Sequence, residues 1–288
     1  MSTEIPDLSG RTAVVTGASS GLGLVVSRAL AERGARVVLA VRDPRKGEAA
    51  RAGLSGETEV ARLDLADLES VRAFATGADA VDLLVANAAG GGQTFARTVQ
   101  GHEIQFGVNH LGHFALVAQL LPRVTSRVVT VSSNLYRMGA PRWDLGPEGY
   151  SGGRAYATSK LANVLFGIEL ERRLRASGSA VQSLLAHPGM ARTAMHRRVE
   201  PAAARIVVRG VARVIGRAAE PAAVGILHAA TAPDVAAGRF WGPGSALTAL
   251  LRPAAPTPTD FSSVALDRDL AARLWTLSEE LTGVRAPV

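Results

Sequence analysis

Hydrophobic positions along the chain gather into short apolar runs separated by amphipathic stretches. Residues 12–16, 36–41, 59–63 and 81–86 are β-branched and apolar runs bounded by glycine or polar residues, and they read as strands. Residues 24–33, 45–52 and 68–75 lie between them with helical spacing. The alternation continues. Residues 99–121 are predicted as one long helix despite two internal glycines, 127–131 as a fifth strand, 155–175 as a helix and 180–185 as a sixth strand. Residues 220–231 read as a helix, 239–241 as a short edge strand, 250–258 as a proline- and alanine-rich surface loop, and 266–277 as a late helix. Near-continuous apolar strands belong to a sheet covered on both faces. The predicted fold is therefore α/β: a single Rossmann-type domain with a doubly wound parallel sheet and helices on both faces. No linker or repeat divides residues 1–288. Residues 10–190 are expected to form the core, 191–220 a cover, and 221–288 the C-terminal helices and edge strand.

Composition narrows the chemistry. In 288 residues, 47% are hydrophobic and 5% aromatic, so small aliphatic side chains must fill most of the core. The chain has no cysteine, which excludes disulfides, thiolate catalysis and Cys-ligated metals. His102, His110 and His113 lie close in sequence, but no third ligand recurs at metal-site spacing, so no metal is expected. The first residues lack a basic stretch followed by an apolar one, and no long uncharged apolar segment follows. A cytoplasmic protein without a transmembrane segment is the expectation. The net charge of +7 rests on arginine, since Lys46 and Lys160 are the only lysines. Without a clustered basic patch carrying stacking groups, it predicts no nucleic-acid partner. It suits an anionic cofactor.

Two motifs carry the chemistry. Residues 16–23, Thr-Gly-Ala-Ser-Ser-Gly-Leu-Gly, join the first strand to the first helix. Gly17, Gly21 and Gly23 permit a tight turn and the close approach of a pyrophosphate, with helix amides facing the anion. Tyr156 and Lys160 stand at i, i+4, on one helix face. Phenol is too weak an acid to serve readily as a base at neutral pH, and a neighbouring ammonium is expected to lower its pKa.

These motifs, in this order, closely resemble the short-chain dehydrogenase/reductase family. The match covers roughly residues 10–245: the glycine turn, Asp64, the Asn87-Ala-Ala-Gly90 segment (with alanine for the usual second asparagine), Asn109, Ser133, Tyr156 with Lys160, and Pro188-Gly189 with Thr193. Residues 38–42, 105–114 and 156–163 are most similar to the retinol dehydrogenase and WW-domain oxidoreductase branch. The resemblance implies hydride transfer between a nicotinamide and a carbonyl or alcohol carbon. It assigns proton exchange to Tyr156 and orientation of the substrate oxygen to Ser133, in preference to Ser132. Lys160 would hold the nicotinamide ribose and tune Tyr156, and Asn109 would support a water leading to Lys160. The cofactor would lie along Gly17, Ser19, Ser20, Gly21, Leu22 and Gly23. Asp64 and Leu65 would sit near the adenine, Asn87, Ala88 and Gly90 along the middle, and Pro188, Gly189 and Thr193 beside the nicotinamide, together with Tyr156 and Lys160.

Arg42 ends the second strand, with Arg45 and Lys46 nearby. A guanidinium there can meet the 2′-phosphate of NADP with charge-assisted bonds, where an acid would favour NAD. Asp43 complicates this choice, because it could point into the same pocket. The interval between Ser133 and Tyr156 is longer than in many family members. Its Tyr136, Met138, Trp143 and Tyr150 either line a pocket for a bulky apolar substrate or anchor a surface loop. His187, before Pro188, is placed in the cofactor-side loop. Arg205, Arg209, Arg213 and Arg217 form an i, i+4 ladder on a predicted helix. That helix is a solvated surface, a lid over the substrate or a weak contact for an anionic membrane. The expected partners are a small apolar carbonyl or alcohol and, by resemblance, a second copy of the chain docked on the helices near Asn109 and Tyr156. A non-catalytic NADP-binding protein, sensing redox state or serving as an interaction partner, is the alternative. A nucleotide-sugar epimerase, which would need a longer second half, is another.

Overall fold

The apolar runs fold as β1 (Thr12–Thr16), β2 (Arg36–Val41), β3 (Thr58–Arg62), β4 (Val81–Ala86), β5 (Val124–Val131) and β6 (Gln182–Ala186), followed by β7 (Phe240–Gly242) and β8 (Thr257–Thr259). The computed structural model describes residues 5–189, 219–244 and 255–288. The strands form one sheet in the order β3-β2-β1-β4-β5-β6-β7-β8. Every neighbouring pair is parallel except the last, where β8 runs antiparallel to β7. The chain winds outward from β1 to β3, then crosses back to β4 on the other side of β1. Connections therefore diverge above the carboxyl ends of β1 and β4, leaving a crevice there.

Helices α1 (Gly21–Ala31), α2 (Pro44–Arg51), α3 (Leu68–Gly77), α4 (Ile104–Phe106), α5 (Gly112–Leu120), α6 (Gly152–Ala176), α7 (Ala219–Thr231) and α8 (Arg268–Thr282) join the strands. Side chains alternate across the sheet. Val15, Leu39, Val85 and Val129 enter the core shared with Leu30 of α1 and Ile226 of α7. Val14, Val38, Leu84 and Val128 enter the opposite core, with Val71 of α3, Phe114 of α5 and Leu170 of α6. A one-residue slip in any central strand would exchange these faces, so the two cores fix the register. Asp43, Asp67 and Asp267 cap α2, α3 and α8 by accepting backbone N–H bonds.

The structure corrects two expectations. The long helix of residues 99–121 begins only at Ile104. Glu103 caps it through Gln105 N at 2.9 Å and Phe106 N at 2.8 Å, while Thr98 N donates to the His102 carbonyl in a tight preceding loop. A π-turn at Gly107–Leu111 separates α4 from α5. Next, β7 is not the edge. Pro258, in the stretch read as a surface loop, lies in β8, an edge strand that tolerates a residue without an N–H. Residues 250–254 of that stretch lie outside the described residues. The helices to which the resemblance assigns a partner subunit also carry α8 of the same chain. Trp275 of α8 meets Phe114 of α5 edge-on at 5.3 Å and stacks on Phe166 of α6 at 5.8 Å, and Arg173 lies over its ring. Residues 157–167 of α6 are all buried.

Candidate active site

β1 delivers Thr16 to the crevice, and the chain then turns through Gly17 at φ 67° and Gly21 at φ 58°, left-handed backbone that favours glycine. Gly23 has no room for a side chain, since a Cβ there would lie 2.5 Å from the Gly17 carbonyl oxygen. Ser20 stands at the N-cap of α1 but makes no capping bond, and no acid occupies the first turn. The three Asp-capped helices have at least one of their leading amides satisfied. The leading amides of α1 therefore face the crevice ready for an anion, with Ser19 and Leu22 partly exposed beside them. A turn that needs glycine for its left-handed backbone at positions 17 and 21 and for lack of room at 23, beneath open helix amides, fits a dinucleotide pyrophosphate.

The turn is braced from beneath. Thr16 Oγ1 accepts from Asn87 N at 2.9 Å and Ala88 N at 2.8 Å, and Asn87 Nδ2 donates to the Thr16 carbonyl at 2.8 Å. Thr16 Oγ1 also meets His113 Nε2 at 2.9 Å, and His113 Nδ1 meets the Asn109 carbonyl at 3.0 Å. The carbonyl can only accept, so Nδ1 carries the proton and Thr16 donates to Nε2. Burial holds His113 at about 4, hence neutral. This brace was not anticipated from sequence. Its only trace there is the i, i+4 spacing of Asn109 and His113. His110 points elsewhere, to Ser278 Oγ at 2.8 Å. Among the described residues, no group of three His, Cys, Asp or Glu side chains could hold a metal ion.

Asn109 joins the loop after β4 to α6. Its Oδ1 accepts from Gly90 N at 2.7 Å, and its Nδ2 donates to the Gly90 carbonyl at 3.1 Å and Ser159 Oγ at 3.0 Å. At the end of β5 the two serines separate. Ser132 is buried and donates to the Lys160 carbonyl at 2.8 Å. Ser133 is partly exposed, accepts from Leu135 N at 3.3 Å and exerts a lowering pull on the Tyr156 phenol. Lys160 is buried. Its Nζ donates to the Val131 carbonyl at 3.1 Å, an oxygen shared with Asn163 Nδ2 at 3.4 Å, and stands 5.8 Å from the Tyr156 ring centroid. Burial lowers Lys160 to about 8. Burial also raises Tyr156 above the ordinary phenol value, against the opposing pull of Ser133. This reverses the expected direction for Tyr156, because desolvation of the phenolate outweighs the polar groups around it.

At the end of β2, Asp43 is turned to its capping role. Its carboxylate accepts from Arg45 N at 3.1 Å and Lys46 N at 3.5 Å, and lies 3.6 Å from Lys46 Nζ. Arg42 is exposed and has no ion pair or hydrogen bond among the described residues. Asp64 Oδ1 accepts from Ala66 N at 3.0 Å, shaping the turn after β3, and Leu65 is buried beneath it. Pro188 and Gly189 follow β6, with Gly189 at φ 64°. Thr193 and the Arg205, Arg209, Arg213 and Arg217 ladder lie outside the described residues.

Most aromatics of the segment between Ser133 and Tyr156 are anchors, the second of the two readings left open for them. Tyr136 is fully buried and its hydroxyl accepts from Ser262 N at 2.9 Å. Trp143 stacks on Phe106 at 5.6 Å, and Tyr150 donates to Glu103 Oε1 at 2.7 Å. Met138 alone of the four is exposed. Concavities of about 210 and 450 Å³ lie away from this cluster, one between α6 and the start of α8, the other between α3 and β1–β3. Converging polar groups, not cavity size, mark the site.

A model of the short chain dehydrogenase family matches residues 11–204. Mouse retinol dehydrogenase 14 is 35% identical over 303 aligned positions, covering 96% of this chain and 86% of that protein. The crystal structure of an uncharacterized protein from Mycobacterium Paratuberculosis is similar at a TM-score of 0.84 and 43% identity, covering 99% of this chain and 98% of that one. A short chain dehydrogenase/reductase from Burkholderia phymatum, solved in complex with NAD, is similar at a TM-score of 0.62 and 26% identity, covering 77% and 86% of the two chains.

Proposed function

The chain belongs to the short-chain dehydrogenase family of oxidoreductases, and on that premise we propose that it interconverts an apolar ketone or aldehyde and its alcohol with NADP. One observation carries the reading. Ser133, Tyr156 and Lys160 gather beside the glycine cradle, whose helix amides are left open to an anion.

Bound NADPH would supply the hydride in reduction, and NADP would take it in oxidation. Tyr156 gives its phenolic proton to the carbonyl oxygen in reduction. Its raised pKa keeps that proton in place at neutral pH. Ser133 holds the same oxygen by a hydrogen bond. Lys160, charged below about 8, stabilises the phenolate left behind. Asn109, fixed on Gly90 and Ser159, keeps the cofactor loop and the Tyr156 helix in register. Arg42 would meet the 2′-phosphate, a role supported by the engagement of Asp43 in its cap. The NAD in the Burkholderia structure belongs to that protein; here Arg42 at the end of β2 supports the NADP reading.

The apolar substrate class rests on similarity to retinol dehydrogenases. We keep residues 1–288 as one domain, with 10–190 as core and 221–288 as the C-terminal helices and outer strands; the substrate-side cover expected at 191–220 lies, up to residue 218, outside the described residues. We also propose a cytoplasmic location. Among the described residues no helix is long and apolar enough to cross a membrane. A panel of aldehydes and ketones of increasing chain length, assayed with NADPH and with NADH, tests the reading. Turnover of long apolar carbonyls with NADPH is expected. No carbonyl reduction with either cofactor would contradict it.

A further inference from the structure

His187 is a buried polar side chain beside the site, and the mechanism above leaves it unused. Its ring fills a slot over Gly242, where a Cβ would lie 2.2 Å from the imidazole, and it packs 4.5 Å from the Phe240 ring centroid. Nδ1 accepts from Gly189 N at 3.1 Å, across the Pro188 turn. That bond puts the ring proton on Nε2, which donates to Thr259 Oγ1 of β8 at 3.2 Å. The His187 backbone N–H donates to the Trp241 carbonyl at 2.8 Å. Burial and the facing Arg137 hold the ring at about 4, so it is neutral throughout the physiological range.

Residues 257–262 also reach the serine side. Ser262 N donates to Tyr136 Oη at 2.9 Å, and Arg137 donates to the Asp260 carbonyl. Tyr136 and Arg137 ride on the 3-10 turn that Ser133 begins. One strap thus touches the turn at Pro188-Gly189 through His187 and the Ser133 turn through Tyr136 and Arg137.

We propose that His187 is a positioning residue that shapes the Pro188-Gly189 turn against the bound nicotinamide and, through Thr259, sets that turn in register with Ser133. This rests on the assignment of the site to NADP. The two ring nitrogens have separate jobs, and amide side chains can separate them. In His187→Asn the amide oxygen can replace Nδ1 and accept from Gly189 N–H as an Asx turn does. In His187→Gln the amide reaches towards Thr259 and leaves Gly189 without its acceptor.

NADPH fluorescence titrations and thermal melts of the full chain and both variants are the test. Both variants vacate the ring slot, so similar losses of Tm are expected. His187→Asn should bind NADPH within about twofold of wild type, while His187→Gln should weaken it at least fivefold. Equal affinities of the two variants, whether high or low, would overturn the inference, since a purely space-filling histidine would not distinguish them. A wild-type chain that binds neither NADPH nor NADH would overturn the cofactor assignment itself, and this inference with it.

Discussion

Lys160 is a buried cation whose only hydrogen-bond acceptor among the described residues is the Val131 carbonyl. Its fall from 10.5 to about 8 means that the fold disfavours the charged form by roughly 3 kcal/mol. With a folded pKa below the unfolded one, native Lys160 binds fewer protons between about 8 and 10.5, so its burden on stability eases as pH rises through that window. Lys160→Met should therefore raise the Tm by several degrees at pH 7 while abolishing turnover; a lower Tm would show that the ammonium stabilises the fold. Arg42 carries the cofactor choice. Arg42→Ala should weaken NADPH binding at least tenfold and NADH binding much less, as read by parallel titrations; equal losses would remove the NADP assignment. Spacing and resemblance singled out Tyr156, Lys160 and Ser133 as candidates, and the structure brings them together. Ser132 is spent on a backbone carbonyl, whereas Ser133 caps the turn that follows it on the Tyr156 side. The raised pKa of Tyr156 was not legible, because desolvation depends on how closely neighbouring elements enclose the ring. The bracing role of His113 was not legible for a similar reason: its partner Thr16 is distant in sequence and becomes a neighbour only when β1 meets α5.

At the scale of elements, the central strands matched their predicted bounds closely, since residues buried on both faces leave a continuous apolar signal. Boundaries set by side-chain caps were harder to read. The helix carrying Asn109 starts where Glu103 can accept two amides, and the apolar pattern upstream of it belongs to a loop. β8 was missed because its pairing is with β7 and its own three residues, Thr-Pro-Thr, carry no apolar period. The placement of α8 was equally invisible, since periodicity marks an apolar stripe without naming what covers it. That placement has a measurable consequence. With α5 and α6 already packed against α8, a dimer through the face that Trp275 covers would have to expel it from Phe114 and Phe166. Light scattering on the purified chain should give a mass near 29.9 kDa. Twice that mass would show that the chain assembles through another face or releases α8.

Across the whole molecule, the carboxyl ends of the strands bring the glycine cradle, the Asn109 brace and the Tyr156 helix around one crevice, as expected of an open α/β sheet. The same close packing traps neutral histidines. His110, His113 and His187 are held at about 3, 4 and 4, below the ordinary 6.5, each chiefly by burial. Their unfolded forms take up protons first as pH falls, so stability present above 6.5 is lost from there down towards about 4. Each contributes at most about 2 kcal/mol to that loss by pH 5, together a large share of a typical folding free energy. Thermal melts should show Tm falling steeply between pH 6.5 and 5, before most carboxylates titrate; a flat profile there would mean that these rings are hydrated in solution. The central claim, proton transfer by Tyr156 coupled to hydride transfer, is tested most directly by comparing Tyr156→Phe with wild type. NADPH affinity is measured by fluorescence and single-turnover NADPH oxidation with a reducible carbonyl by absorbance. The account predicts unchanged NADPH affinity and loss of at least a thousandfold in the single-turnover rate. A variant that oxidises NADPH at a rate near that of wild type would contradict it.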